Sequence, residues 1–150
     1  ELFIKHHLDK YDGHFPIWAA IEVTSFGWLS KLYSNMKKED KKAIAREYYN
    51  VSYVYLVNWL HVLGYIRNVC AHFGRLYNKP LAKRLKLSKK ENRVPNDRIF
   101  AVIFVMKKLL PTNDWRHFVT RLEALIEQYE DNIELDRIGF PTNWRSILRE

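Results

Sequence analysis

Apolar residues recur at helical spacing along most of the chain, and proline or capping residues separate the runs. No internal repeat, no low-complexity tract and no glycine-rich phosphate loop interrupts this pattern. The pattern predicts an all-α bundle of five to six helices. The predicted helices cover residues 17–33, 37–49, 50–77, 97–110, 115–129 and 144–148.

The first predicted helix, 17–33, follows Pro16, a residue that suits the first turn of a helix. It is mostly apolar, so we expect it to be mostly buried, with Gly27 marking either a close helix crossing or a kink. The second predicted helix, 37–49, is charged along its outer side. Its inward side is predicted to carry Ala43, Ile44 and Tyr48.

An uncharged run of 19 residues, 48–66, leads into the third and central predicted helix, which Asn50 or Ser52 can cap. We expect this run to be largely buried. It has the length of a membrane span, but it contains Asn58, His61 and several tyrosines. These polar groups favour a protein core, and the membrane interpretation is rejected.

A basic connector, residues 78–95, separates the central helix from the later ones. Its leucines are predicted to anchor a short helical turn: Leu81, Leu85 and Leu87. Pro95 closes the connector. The predicted caps of the next two helices are Asn96 and either Thr112 or Asn113. We expect Trp144 to dock the last helix onto the bundle.

Composition indicates one folded domain, residues 1–150, because 47% of the residues are hydrophobic and 15% aromatic. The single cysteine cannot form an internal disulfide, and no signal peptide is visible, which predicts a cytoplasmic protein. The sequence begins with Glu1 rather than methionine, so we expect it to be part of a longer protein.

The net charge of +8 is concentrated in one region. Between residues 75 and 93 there are eight lysines or arginines and one acid, Glu91. Such a surface favours a polyanionic partner, with nucleic acid first, although a solvated face of no special function is the alternative. The predicted RNA contacts are Lys79, Lys83, Arg84 and Lys86.

Four polar side chains arrive within nine positions at the end of the uncharged run: Arg67, Asn68, His72 and Arg75. Polar groups at the end of a buried helix need partners or a cleft, which makes them a candidate site. Asn68, His72 and Arg75 share one helical stripe, whereas five residues place Arg67 about 140° away from His72. Arg67 and His72 would therefore converge across a helix bend or through a second copy of the chain.

An imidazole beside guanidinium groups suits the cleavage of RNA phosphodiesters. Histidine transfers protons near neutral pH, arginine stabilises the phosphate oxygens, and asparagine can orient either group. This chemistry needs neither metal nor cofactor. The alternative is structural: Arg67 pairs with Glu22, the lone charge of the first predicted helix, and His72 is a satisfied histidine at a helix end.

Two other groups of residues are weaker candidates for a functional site. His6, His7 and His14 lack the ligand spacing of a metal site. Cys70 and His72, two residues apart, point to different faces of a helix, so we expect a small buried thiol rather than a nucleophile.

The segment from Arg67 to His72 resembles the Arg-x4-His motif of the HEPN superfamily of helical ribonucleases. Three blocks together are similar to the Abi-like family (AbiD/AbiF type) of bacterial abortive-infection phage-resistance proteins. They are FPIWAAIE at 15–22 with SFG at 25–27, IRNVCAH at 66–72 with RLYN at 75–78, and GFP at 139–141 with Trp144.

This resemblance implies a HEPN-like bundle and a metal-independent endoribonuclease toxin, with Arg67 and His72 as nuclease residues assisted by Asn68. It implies a homodimer with a composite site, and a protein or RNA antitoxin as a further partner. Glu22 and Arg75 are predicted to support the site, and the chain is expected to be the C-terminal part of an Abi-like protein. Some HEPN toxins carry a modified tyrosine where this chain has Gly74, which argues against regulation of that kind. A non-catalytic RNA-binding or partner-binding module is the alternative function.

Overall fold

The computed structural model describes residues 2–22, 24–91 and 94–149. Within these ranges the chain forms eight α-helices and no strands, which confirms the all-α prediction. The helices are α1 Leu2–Lys10, α2 Ile17–Glu22, α3 Phe26–Asn35, α4 Lys38–Tyr49, α5 Tyr53–Ala71, α6 Ile99–Met106, α7 Thr112–Gln128 and α8 Trp144–Arg149. Short 3₁₀ turns cover Lys89–Glu91, Glu130–Asn132 and Leu135–Ile138. The predicted number of helices was too low because α1 was not expected and segment 17–33 is divided.

Hydroxyl side chains account for the division of segment 17–33. Thr24 donates a hydrogen bond through Oγ1 to the carbonyl of Ile21 at 2.8 Å, and Ser25 accepts one from the amide of Trp28 at 3.2 Å. Such local bonds compete with helix continuation and favour caps. The expected burial of this segment was also wrong, because Trp18 of α2 is 70% exposed and Trp28 and Leu32 of α3 are exposed as well.

Helix α4 faces the bundle with a different stripe from the one predicted. Ala45 is fully buried between Tyr33 and Leu56, whereas Ala43 is exposed and Tyr48 is 70% exposed. Ile44 is half-buried, as expected. Residues 44 and 48 are four apart, and so are residues 45 and 49, so the sequence offers two adjacent stripes. Packing against α3 and α5 selects between them.

Helix α5 is the centre of the bundle. Its N-terminus is capped by Ser52, whose hydroxyl accepts a hydrogen bond from Val54, while Asn50 ends α4 in a left-handed conformation. Trp59 and Val62 are buried against α6. The run 48–66 is nevertheless buried on one side only, since Val54 and His61 are exposed. No helix within the described ranges is long and apolar enough to cross a membrane.

Helices α3 and α5 cross at Gly27 and Gly64. A Cβ added to Gly64 would lie 3.7 Å from the Cα of Gly27. Gly27 therefore marks a helix crossing, the first of the two predicted alternatives. At the other end of the bundle Trp144 is buried as expected, and Trp115 donates to the carbonyl of Leu148 at 2.9 Å.

The connector is anchored by leucines but not as a helical turn. Leu81 and Leu85 are buried, and their amides donate to the carbonyls of Asp97 and Asn96, each at 2.8 Å. These bonds hold the connector against the segment before α6. Residues 92 and 93 lie outside the described ranges.

Two predicted helix caps were wrong. Helix α6 begins after Arg98 rather than Asn96, and α7 begins after Pro111 rather than at Thr112 or Asn113. Neither Arg98 nor Pro111 provides a side-chain hydrogen bond to its helix. Packing of the apolar stretch, residues 99–106, sets the start of α6 in place of a polar cap.

Candidate functional site

The candidate site lies at the C-terminal end of α5, where the helix ends six residues earlier than predicted. Ala71 is the last helical residue and His72 is the C-cap. Phe73 then adopts a left-handed conformation with φ +52°, and its amide donates to the carbonyl of Cys70 at 3.1 Å. The amide of Gly74 donates to the carbonyl of Val69 at 2.7 Å. These two bonds form a Schellman cap, which fixes the direction of the chain leaving the helix.

Glycine is required at position 74 by space. A Cβ there would lie 2.8 Å from Cγ1 of Val69 and 3.0 Å from its carbonyl oxygen. A real Cβ does not approach another atom to 2.8 Å, so a side chain at position 74 requires Val69 to shift. The position is therefore tightly packed against Val69 in this conformation.

Four predicted site residues are brought to one exposed helix end: Arg67, Asn68, His72 and Arg75. Nη1 of Arg67 donates to Oδ1 of Asn68 at 3.4 Å, so the amide is oriented by the guanidinium. In the part of the chain that the structure describes, no hydrogen bond joins Arg67 to His72. Arg67 lies within α5 and His72 is its C-cap, and their spacing of five residues corresponds to about 140° around an ideal helix axis.

The predicted ion pair between Arg67 and Glu22 is not formed. Both side chains are exposed, and no salt bridge within 4.0 Å joins them in the described ranges. Glu22 is the last residue of α2, which ends in solvent because Thr24 and Ser25 divide the segment. The prediction assumed that both charges were enclosed by apolar neighbours, and neither is.

Arg67 instead borders an apolar groove of about 510 Å³ between α3, α5 and α6. Its walls include Phe26, Ile66, Val102 and Met106. The guanidinium is therefore the polar end of an otherwise apolar depression.

The prediction for Cys70 was also wrong, because this thiol is exposed rather than buried. In the last turn of α5, Asn68, Cys70 and Ala71 are exposed and Val69 is half-buried. The candidate catalytic residues Arg67 and His72 are exposed at the same end of the helix.

The connector returns along α5 and is fixed to it by the side chains of Asn58 and Trp59, whose contacts with the connector were not predicted. The amide of Asn58 donates to the carbonyl of Arg84 at 3.2 Å and accepts from the amide of Lys86 at 2.7 Å. Trp59 donates through Nε1 to the carbonyl of Lys86 at 2.7 Å. Polar residues within an apolar run are the signal by which these contacts can be recognised, since buried polar groups need partners.

The connector also meets the stripe that leads to His72. Nζ of Lys83 is in hydrogen-bond contact with the imidazole of His61. Residues 61 and 72 are eleven apart, which returns a helix to within about 20° of the same direction, about 16 Å further along its axis. Lys83 therefore lies on the face of α5 that ends at the candidate site.

Among the connector residues that the structure describes, no cation has an acidic partner. Its one acid, Glu91, contacts Nζ of Lys108 at 2.6 Å and accepts hydrogen bonds from Ser88. Burial acts to raise the pKa of Glu91, but the bonds from Lys108 and Ser88 outweigh it and lower the pKa below the usual value. Among the described residues, no ion pair involves the predicted RNA contacts Lys79, Lys83, Arg84 and Lys86.

The N-terminal histidines form an aromatic cluster. His7 stacks on Phe15 with ring centres 5.0 Å apart, and His6 lies edge-on to Tyr11. Within the described ranges, no group of three or more histidines, cysteines or acids is arranged to hold a metal ion.

A model of one protein family, described as Abi-like protein, matches residues 1–78 of the 150-residue chain. The chain belongs to the Abi-like family. This confirms the resemblance to the Abi-like family seen in the sequence, and membership suggests a part in abortive-infection phage resistance. No curated protein and no solved structure matches the chain.

The region matched by the Abi-like family model includes the candidate site. It covers α1 to α5, the Schellman cap and Arg75, and it ends at Asn78. The four predicted RNA contacts begin at Lys79, just beyond it. The helix end that carries Arg67 and His72 is thus part of the Abi-like region, whereas most of the connector is outside the match.

Proposed function

We propose that this Abi-like chain is a metal-independent endoribonuclease that acts as a toxin on cytoplasmic RNA in abortive-infection phage defence. The supporting observation is that Arg67, Asn68 and His72 share one exposed helix end. Exposure leaves these side chains available to a substrate. Cations of the connector lie along the same helix, and among the described residues none of them has an acidic partner, so they can attract an RNA backbone.

Each of the three side chains has a role in this chemistry. His72 takes the proton of the 2′-hydroxyl or donates one to the leaving 5′-oxygen. Arg67 holds the non-bridging phosphate oxygens and stabilises the charge that develops on them. Asn68, whose Oδ1 accepts a hydrogen bond from Arg67, keeps the guanidinium in place. Arg75, exposed on the same helix end, adds positive charge.

The composite site of a homodimer follows from the separation of Arg67 and His72. Since the two side chains do not meet within one chain, two copies that place their α5 ends together bring Arg67 of one protomer to His72 of its partner. The other partners we propose are RNA and an antitoxin, protein or RNA, that restrains cleavage.

The connector is proposed as the surface that holds the RNA backbone. Its exposed cations Lys79, Lys83, Arg84 and Lys86 are presented by a backbone that Asn58 and Trp59 fix to α5. The contact between Lys83 and His61 sets this surface in line with His72. A single strand lying along α5 would therefore meet cations before it reached the site.

A cleavage assay on one labelled single-stranded RNA tests the nuclease proposal. The parent is expected to cut in EDTA and to leave 2′,3′-cyclic phosphate ends. His72→Ala removes proton transfer and should slow cleavage by roughly 10²–10⁴-fold while leaving RNA affinity close to that of the parent. His117→Ala, which removes an exposed histidine of α7, is the matched control and should cut normally.

The same assay separates the enzyme from a non-catalytic module. The apolar groove beside Arg67 favours this second candidate, because such a groove can receive a protein partner. A module of that kind would bind without cutting. Cleavage that persists in His72→Ala, or that is lost in EDTA, would contradict the proposed mechanism.

A further inference from the structure

Phe73 is the most conspicuous residue of the helix end. Its side chain is 100% exposed, and it follows His72 directly in the chain. A large aromatic ring in this position contributes no buried area to the fold. The stability of the protein therefore does not explain why the ring is present.

The backbone at Phe73 is also unfavourable. Four described non-glycine residues have a positive φ: Asp12, Asn50, Phe73 and Asn78. Asparagine and aspartate tolerate this conformation, whereas a bulky aromatic residue in it is strained. The Schellman cap demands the left-handed conformation at position 73, and Gly74 is held one position later by its contact with Val69. Strain retained without a packing benefit is typical of functional positions.

The exposed residues near Phe73 in the chain indicate what kind of partner the ring would meet. Four of those within a few positions are cationic or polar: Arg67, Asn68, His72 and Arg75. The core of a protein interface is contiguous, apolar and poor in charge. The exposed apolar side chains of α2 and α3 meet that description better: Ile17, Trp18, Ile21, Trp28 and Leu32. A single ring among cations instead suits single-stranded nucleic acid, whose phosphates pair with the cations while a base stacks on the ring.

We propose that Phe73 is a stacking platform for one nucleobase of single-stranded RNA, adjacent to the phosphodiester that His72 contacts. The proposal rests on the proposed ribonuclease function and identifies an unpaired nucleotide as the substrate feature recognised at the cut. A duplex keeps its bases stacked on each other, so Phe73 would select loops and single strands.

Replacement by asparagine separates this role from a structural one, because asparagine fits the left-handed conformation and lacks the ring. Phe73→Asn should raise the melting temperature by about 2–4 °C through release of backbone strain. It should weaken binding of a single-stranded RNA by about 5- to 150-fold. Phe73→Trp keeps a ring and should bind like the parent. All variants are compared in the His72→Ala background so that the RNA remains intact.

An RNA series with one abasic nucleotide at successive positions locates the stacked base. The parent should lose affinity at one position, and Phe73→Asn should show no further loss there. Unchanged RNA affinity of Phe73→Asn would overturn the proposal, as would a lower melting temperature or loss of dimerisation. A parent that binds RNA but never cuts it would refute the nuclease function and leave the stacking test intact.

Discussion

At the scale of single residues, close packing between Gly74 and Val69 shapes the end of α5, and the hydropathy pattern of the sequence does not reveal such packing. Gly74 has an ordinary φ, so conformational freedom is not the reason for its presence; the reason is the contact with Val69. The cap that results places His72 at the exposed end of α5. A change at Gly74 should therefore affect the site through the backbone.

Gly74→Ala tests this dependence. The added methyl group would lie 2.8 Å from Cγ1 of Val69 and 3.0 Å from its carbonyl oxygen, so Val69 has to shift. This shift strains the cap, whose Gly74–Val69 hydrogen bond is 2.7 Å, and we expect a loss of about 1–3 kcal/mol in the free energy of unfolding. Gly27→Ala is the control, because its Cβ would meet only Ser25 Oγ, at 3.8 Å. That variant should be neutral or more stable by up to about 1 kcal/mol, since alanine favours helix. Equal melting of the two variants in urea would show that position 74 has more room than the geometry indicates.

At the scale of elements, the sequence predicted the structure correctly where a single local property of a residue, such as capping ability or hydrophobicity, determines its position. Ser52 capped α5, and Leu81, Leu85 and Trp144 were buried, because a hydroxyl before an apolar run or a large apolar side chain has few alternatives. The stripe of α4 and the pair of Glu22 with Arg67 depended instead on which neighbour packs against each helix. That information lies in tertiary structure. The exposure of Cys70 likewise depends on which elements pack around the last turn of α5.

The proposed role of the connector in RNA binding can be tested by removing its cations. Replacing Lys83, Arg84 and Lys86 by alanine should weaken RNA binding and reduce the slope of log affinity against log salt by roughly 0.7 per phosphate contact removed. Replacement of Lys37, Lys38 and Lys42, three exposed cations near the start of α4, lowers the net charge equally and is the matched control. Titration of a labelled single strand at several salt concentrations measures both slopes. If the two triple variants have the same slope, the connector is only a solvated surface.

At the scale of the whole molecule, the separation of Arg67 from His72 makes the assembly testable by complementation. Arg67→Ala and His72→Ala should each be nearly inactive alone. When the two are mixed and allowed to exchange subunits, heterodimers combine an intact Arg67 with an intact His72, and cleavage should return well above either variant. A chain doubly substituted at both positions, mixed with either variant, is the control and should restore nothing.

The oligomeric state of the parent protein should be measured alongside the complementation experiment. The proposed composite site requires a dimer at assay concentration, and light scattering on the parent reports it directly. Cleavage by a protein that remains monomeric under the same conditions would contradict the composite site while leaving His72 as a candidate proton donor.

The path of the connector has a consequence for the order in which the protein acquires its properties during synthesis. Its bonds to Asn58 and Trp59 join residues 26 to 28 positions apart, and Leu81 and Leu85 are held by the backbone of residues 96 and 97. Such contacts form only after the later partner has emerged from the ribosome. A nascent chain that has reached α5 carries His72, but the surface proposed to hold RNA does not yet exist. If the proposed function is correct, the growing chain would thus retain RNA poorly beside its own ribosome until residues 96 and 97 are made.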